Sequence, residues 1–241
     1  VSDAISFTGS LPGTAFNWTN SNTAIGLAAN GTGNISPFTL TNTGTTVLTA
    51  TITVTPTLNG CRGAYKTFTI KVNPLPTVPI VSPISYCQNA TAIPLTPTVL
   101  ANHTLNWYTT PTGGTVSAVA PTPNTDSVGT TTYYVSQTNN LTGCEGSRAS
   151  IVVTINALPT VTVDSPEVCS DSSATVTATP GTTETYSYAW TVPTGATNPG
   201  NVGSFLTKIP GTYSVIITNK TTTCSSPSVS SIVKINTSPY L

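Results

Sequence analysis

The sequence is short of charge, and what it lacks excludes several classes of protein. Its 241 residues include only seven Lys+Arg, seven Asp+Glu, one His and no Met, whereas about a quarter of the residues of an average soluble protein are charged. A net charge of zero leaves no basic surface for a nucleic-acid backbone and no polybasic segment for anionic lipid. We therefore expect no nucleic-acid partner.

Long apolar runs are also lacking. Hydrophobic residues make up 37% of the chain, but they occur in short groups separated by Thr, Ser, Asn and Pro. None approaches the roughly 20 residues that a transmembrane helix needs, so we expect no membrane insertion. The chain begins at Val1 with no charged and apolar leader, and we expect either a processed chain or a segment of a longer one.

What the chain does contain favours β-structure. About one residue in five is Thr, and there are 20 Pro and 18 Gly. Thr is β-branched, and Ser, Asn, Gly and Pro disfavour helix interiors. Disorder is the alternative for such a composition, but the hydrophobic residues alternate with period two and each repeat contains a Trp and a Cys. This pattern indicates packed β-domains.

Three stretches of the sequence align as tandem repeats. Cys61, Cys144 and Cys224 are spaced by 83 and 80 residues. The Asn residues that close the stretches, at positions 73, 156 and 236, have the same spacing. A repeat of roughly 80 residues has the size of a small β-sandwich and is too long for a solenoid repeat.

Alternation within each repeat predicts a final pair of strands and an earlier strand with a core Trp, as in many immunoglobulin-like domains. Pro-rich connectors follow Asn73 and Asn156 and should be stiff and extended. They place the predicted domain boundaries at 1–74, 75–157 and 158–241. The inward-facing strand residues and the core Trp residues are Trp18, Ile52, Val54, Phe68, Ile70, Val72, Trp107, Tyr133, Val135, Ile151, Val153, Ile155, Trp190, Tyr213, Val215, Ile217, Val233 and Ile235.

The five cysteines follow the repeats. Those of the second repeat lie 20 residues before and 37 after its Trp, and those of the third lie 21 before and 34 after. This match predicts one disulfide in each of the two repeats, Cys87 to Cys144 and Cys169 to Cys224. Cys61 is predicted to have no partner within the chain, because the equivalent cysteine would precede the first residue and the first domain is N-terminally incomplete. Disulfides persist outside the reducing cytosol, which favours an extracellular or cell-surface location.

No arrangement of residues predicts catalysis. His103 lies in a Thr- and Asn-rich loop without a GxSxG motif, and we expect it to be an exposed loop residue. The closest acidic cluster is Asp164, Glu167 and Asp171, which suggests calcium as an alternative but lacks the Asp-x-Asp spacing of a dedicated loop. There is no CxxC pair and no second His for a metal site. We expect no enzyme, no cofactor and no metal.

Two tyrosines are candidates for stacking on a sugar ring. Tyr108 and Tyr134 each adjoin a residue assigned to the core, so alternation should turn both outward. An exposed Tyr on a strand also serves as a cross-strand packing partner. A carbohydrate-binding module array is therefore an alternative function.

The motifs resemble those of a known group of domains. The second repeat, with SYCQNATAIPLTPT, LNWYTTPTGGT and IVVTIN, resembles the immunoglobulin-like module of very large Bacteroidota cell-surface proteins. The first, with PGTAFNWT and an Asn-Pro-x-Pro exit, resembles the PKD-like modules of that group, as does the third, although its exit lacks the first Pro. The resemblance implies an all-β chain of three tandem immunoglobulin-like or PKD-like β-sandwich domains. Such modules occur in secreted adhesins, including gliding-motility adhesins exported by the type IX secretion system.

The resemblance also implies a role. We expect a non-catalytic stalk segment of a large secreted adhesin or filament, which holds a binding tip away from the cell. Its partners would be other domains of the same polypeptide, together with surface glycans or other cell-surface proteins. Besides the carbohydrate-binding array, a subunit of a self-assembling filament remains open, its first domain being completed by a neighbouring chain.

One tripeptide suggests a modification. Asp126, Ser127 and Val128 resemble the O-glycosylation sequon of secreted Bacteroidota proteins. Ser127 is therefore a candidate glycosylation site.

Overall fold

The β-branched and period-two character of the chain is realised almost entirely as strands. The computed structural model describes residues 1–169 and 172–236, and within them it contains sixteen strands and one 3-10 helix, Thr23–Ile25. None of the described helical segments is long and apolar enough to cross a membrane. The strands are β1 (Ala15–Asn20), β2 (Asn30–Thr32), β3 (Leu48–Leu58), β4 (Cys61–Arg62), β5 (Lys66–Val72), β6 (Ile84–Cys87), β7 (His103–Tyr108), β8 (Gly129–Asn139), β9 (Ala149–Asn156), β10 (Val161–Val163), β11 (Glu167–Cys169), β12 (Ala174–Pro180), β13 (Tyr186–Thr191), β14 (Ser204–Thr207), β15 (Gly211–Asn219) and β16 (Val229–Asn236).

The chain divides into two compact units. Unit 1 consists of Val1–Val81, Pro97–Val119 and Tyr134–Ser150, and unit 2 of Ser82–Thr96, Ala120–Tyr133 and Ile151–Leu241. The predicted domain boundaries at 74/75 and 157/158 stay predictions.

Unit 1 contains a sheet built around β1 and β3. Strand β1 pairs antiparallel with β2 and β3, so Trp18 lies opposite Gly31 on one side and Val54 on the other. Strand β3 also pairs with β5, with Ile52 opposite Phe68. One face of the sheet covers a core because alternate residues of each strand point inward. The buried members of this core are Trp18, Ile25, Leu27, Ile35, Ala50, Ile52, Val54 and Val72.

A two-residue turn joins β3 to β4. Leu58 pairs with Cys61, and the intervening Asn59 and Gly60 have φ values of 52° and 82°. An Asn-Gly pair tolerates these left-handed values and matches the twist of the strands it connects. The turn places Cys61 at the exposed tip of the hairpin.

Unit 1 also contains β7 and the last six residues of β8. The two segments pair antiparallel, with Trp107 opposite Val135 and Tyr108 opposite Tyr134. Trp107 is buried and forms a second bridge, to Ser117.

Unit 2 contains a sandwich with a single core. One sheet has the order β10-β12-β14 and the other the order β11-β16-β15-β13. Their inner faces share an apolar cluster in which Trp190 meets Phe205 edge-on, with ring centroids 4.9 Å apart. Tyr213 is fully buried, and its hydroxyl donates to the Ile209 carbonyl at 2.9 Å, which satisfies a polar group that would otherwise be costly to bury.

The strand predictions are confirmed where the structure describes them. Each of the three Trp residues lies on a strand and is at most 7% exposed. The last two strands of the first and third repeats form antiparallel pairs, β3 with β5 and β15 with β16. Sequence reasoning missed a further feature of unit 2: β6 pairs with β9, and β11 with β16, in parallel.

Candidate functional site

A disulfide joins the second repeat to the third within unit 2. Cys87 and Cys224 are bonded, with an S–S distance of 2.06 Å and Cα atoms 5.5 Å apart. The two residues are 137 positions apart in sequence.

Parallel pairing positions Cys87 at the end of a strand. It is the last residue of β6 and lies opposite Asn156, the last residue of β9. The Gln88 N–H donates to the Asn156 carbonyl at 2.8 Å, and the Ala90 N–H donates back to the Cys87 carbonyl at 3.1 Å. The chain therefore turns immediately after Cys87, and the thiol is held where the strand ends.

An Asn-centred turn positions Cys224 after β15. The Asn219 side-chain oxygen accepts hydrogen bonds from the N–H groups of Thr221 and Thr222, at 2.8 and 3.1 Å. The Asn219 N–H donates to the Cys224 carbonyl at 2.9 Å, and Thr223 adopts a positive φ of 60°. Cys224 is fully buried, so its sulfur is directed into the protein.

The second repeat has the same turn. Asn139 accepts from the N–H groups of Leu141 and Thr142, at 2.9 and 3.2 Å, and donates to the Cys144 carbonyl at 3.0 Å. Gly143, with a φ of 68°, takes the place of Thr223. The shared Asn-x-x-Thr-x-Cys pattern was a sequence signal for this turn, and sequence reasoning did not use it.

The structure corrects the predicted disulfide pairing. Cys87 bonds to Cys224, so both predicted pairs, Cys87 with Cys144 and Cys169 with Cys224, are wrong. Cys169 lies opposite Asn236, the last residue of β16, whereas Cys224 precedes Val229, the first.

Strand length explains why a repeat does not close on itself. An eight-residue strand at about 3.3 Å per residue separates its two ends by about 23 Å, and a disulfide needs Cα atoms within about 7 Å. The cysteines of the third repeat therefore lie toward opposite ends of β16. In the described part of the chain, Cys61 and Cys144 are free thiols.

The structure also corrects the orientation of Tyr108. This side chain is only 8% exposed, and the Arg148 guanidinium carbon lies 3.2 Å from the centre of its ring. The hydroxyl donates to the Glu145 carboxylate at 2.6 Å, and Ser136 donates to the same oxygen. Alternation fails here because residues after β8 cover the outer face of Tyr108 as well. The ring is not available to stack on a sugar.

Burial and hydrogen bonding shift two pKa values in this cluster. Burial, followed by the hydrogen bond to Glu145 and its charge, raises the pKa of Tyr108. Burial also tends to raise the pKa of Glu145, but hydrogen bonds from Ser136 and Tyr108, together with the charge of Arg148, outweigh it and hold the pKa below its ordinary value. The cluster attaches the loop after β8 to the end of β7.

The remaining predicted residues are dispersed. Tyr134 is half-buried, and Ser127 is exposed in the segment before β8. His103 is not the exposed loop residue we expected: it is half-buried and begins β7, with Nδ1 2.7 Å from the Ala101 carbonyl oxygen.

The acidic cluster has internal partners. Asp164 accepts from the Thr177 N–H at 2.7 Å, and Glu167 accepts from the Asn236 side chain at 3.0 Å. Asp171, the third predicted member, lies outside the described residues. Among the described residues, no three His, Cys, Asp or Glu side chains come together as a metal site.

Sequence reasoning did not foresee an open cleft in unit 1. Its volume is about 800 Å³. Phe7 lies at its centre, with its ring centroid 5.7 Å from that of Phe16 and 6.4 Å from that of Phe68. Arg62 and Lys66 contribute basic groups to the lining. The cleft lies beside β5, whose only strand partner in the described sheets is β3.

Comparison with known proteins finds domain families for two consecutive stretches. Residues 76–156 match the model of the Ig-like domain described as CHU_C associated, and residues 2–76 match the model of a PKD-like domain. No curated protein matches the chain.

Solved structures with tandem immunoglobulin domains are also similar to the chain. A titin fragment, domains I67-I69 in an E-to-A mutated variant, is 11% identical with a TM-score of 0.40, and the match covers 97% of this chain and 91% of that one. The N-terminal four Ig domains of Dscam1 isoform 7.44 are 16% identical with a TM-score of 0.30, covering 97% and 69%. Together with the family matches, the strands establish an all-β chain with tandem immunoglobulin-like domains.

Proposed function

We propose that this chain is a non-catalytic stalk segment of a large secreted adhesin or filament, which spaces a binding tip from the cell surface. The observation that carries the proposal is the disulfide between the second and third repeats. A covalent bond between consecutive domains limits their movement, as a spacer requires. The tandem matches to immunoglobulin-like and PKD-like domains support the same role.

An extracellular location follows from the same bond. A disulfide between Cys87 and Cys224 persists in an oxidising compartment and is rare in the reducing cytosol. We propose that the segment works outside the cell, where its partners are the other domains of its polypeptide and surface molecules that the tip contacts.

A replacement experiment tests the spacing role. In the full-length polypeptide, residues 1–241 are exchanged for an unrelated rod of the same length, and adhesion of intact cells is measured. A spacer predicts that adhesion is retained with the equal-length rod and lost with a short flexible linker. Loss of adhesion with the equal-length rod would show that these residues themselves bind the target.

The cleft in unit 1 favours a second candidate, a subunit of a self-assembling filament. The apolar lining around Phe7 and the outer edge of β5 could accept a strand from a neighbouring copy by β-augmentation. Analytical ultracentrifugation over a range of concentrations tests this, with Phe68→Asp, in the cleft, compared with Phe205→Asp in the other unit. Concentration-dependent assembly that Phe68→Asp alone abolishes supports the filament, and a monomer at all concentrations excludes it.

A further inference from the structure

We propose that the disulfide between Cys87 and Cys224 diverts a pulling force around most of the second and third repeats. Tension applied to the two ends of the chain would then leave these repeats folded. The biological use of this device rests on the proposed stalk function, whereas the diversion itself is a property of the covalent path.

The path follows from the connectivity. The cysteines are 137 positions apart, so 136 residues lie between them. This intervening segment includes all strands from β7 to β15, with the core residues Trp107 and Trp190. When the disulfide is intact, force passes from β6 through the sulfur atoms to Cys224 and then along β16. A covalent bond withstands forces that separate hydrogen-bonded strands, so the intervening residues carry no tension.

The strands that do carry tension are held along their length. Strand β6 pairs with β9 up to Cys87 itself, and β16 lies between β15 and β11 in its sheet. Each strand is anchored covalently at both ends of the path, so neither has to slide past its neighbours when the chain is pulled.

The connector between the two repeats is the alternative path. Pro159 is buried, and the Gly181 N–H donates to the Thr160 carbonyl at 2.9 Å. These are non-covalent contacts, and they would bear the load only after the disulfide is broken. A dithiol reductant breaks it by transferring two electrons and two protons, which leaves two thiols on the protein and a cyclic disulfide in the reductant.

The length hidden behind the disulfide is large enough to measure. At 3.3 to 3.6 Å per extended residue, 136 residues span about 450 to 490 Å. Unfolding of residues 1–74, which lie outside the protected segment, would release at most about 270 Å by the same arithmetic.

Single-molecule force spectroscopy on the full chain, held by its two ends, tests the proposal. Without reductant we expect extension steps from residues 1–74 alone. With dithiothreitol we expect further steps that together add about 450 Å. Oxidised molecules that already release this additional length would overturn the proposal.

Matched cysteine variants identify the bond responsible. The double variant Cys87→Ser/Cys224→Ser should behave without reductant as the reduced protein does, and circular dichroism should show that it remains folded at zero force. Cys144→Ser should keep the full protection. If Cys144→Ser loses the protection instead, the bond joins Cys87 to Cys144 and the proposal is wrong. None of these outcomes depends on cell adhesion, so the stalk function can fail independently in the replacement experiment.

Discussion

At the scale of single residues, covering groups decide which side chains are accessible. Tyr108 and Trp107 are neighbours on one strand, and both are buried. Period-two alternation predicts that one of them faces solvent, and this holds only where nothing packs on the outer face. Arg148 and Glu145, brought in by the loop after β8, supply that cover.

The Tyr108 cluster should make unit 1 sensitive to acid. A carboxyl whose pKa is lowered on folding contributes stability that is complete above its unfolded pKa and is lost as the pH falls through its folded pKa. The pKa of Glu145 lies below its ordinary value of 4.5, so its contribution should decline as the pH falls below about that value. Urea unfolding at several pH values should show a gap between wild type and Glu145→Gln that closes in acid. A gap that is constant with pH would contradict this.

Gly31 is required beneath the ring of Trp18. A Cβ atom at this position would lie 2.2 Å from Trp18 Cζ2, and overpacking of this kind typically costs about 1 to 3 kcal/mol. Gly31→Ala should therefore lower the free energy of unfolding by that amount in chemical denaturation. Gly44→Ala is the matched control, because its nearest contact would be an ordinary 3.5 Å to Asn42. Equal effects of the two variants would refute the steric explanation.

At the scale of elements, the turns before the last strands are defined by a side chain. In the second and third repeats, an Asn at the end of one strand accepts two backbone N–H groups and fixes where the cysteine lies. Local hydrogen bonds of this type are encoded by neighbouring residues, so the turn was readable from sequence. The parallel pairing of β6 and β11 was not, because it joins residues about 70 positions apart.

Removing the Asn acceptor should loosen this turn. Asn139→Ala leaves two N–H groups without their acceptor, and a net value of about 1 kcal/mol per hydrogen bond predicts a loss of about 1 to 2 kcal/mol. Asn139→Asp keeps an acceptor oxygen and should lose less. Thermal and urea unfolding of the two variants distinguish the hydrogen bonds from a general effect of substitution. A loss as large for Asp as for Ala would disprove this account of the turn.

At the scale of the whole molecule, one covalent bond encloses more than half of the chain. In the chain-entropy model, a loop of 137 residues stabilises the folded state by about 5 kcal/mol relative to the reduced chain. We expect the double variant Cys87→Ser/Cys224→Ser to lose stability of that order in guanidinium unfolding, while Cys61→Ser should change little. Peptide mapping without reduction should recover Cys87 and Cys224 in one linked fragment. Recovery of a fragment linking Cys87 to Cys144 would restore the pairing inferred from spacing.

The sequence by itself determined the β-class, the strands that carry each Trp, and the antiparallel pairing at the end of the first and third repeats. These depend on alternation and turn residues, which act between neighbours in sequence. Only the tertiary structure decided which cysteines meet, because Cys87 and Cys169 occupy equivalent strand ends and Cys144 and Cys224 occupy equivalent turns. Equal spacing cannot distinguish partners within a repeat from partners in the next one. The choice depends on strand length, since an eight-residue strand separates its two ends too far for a disulfide to join them.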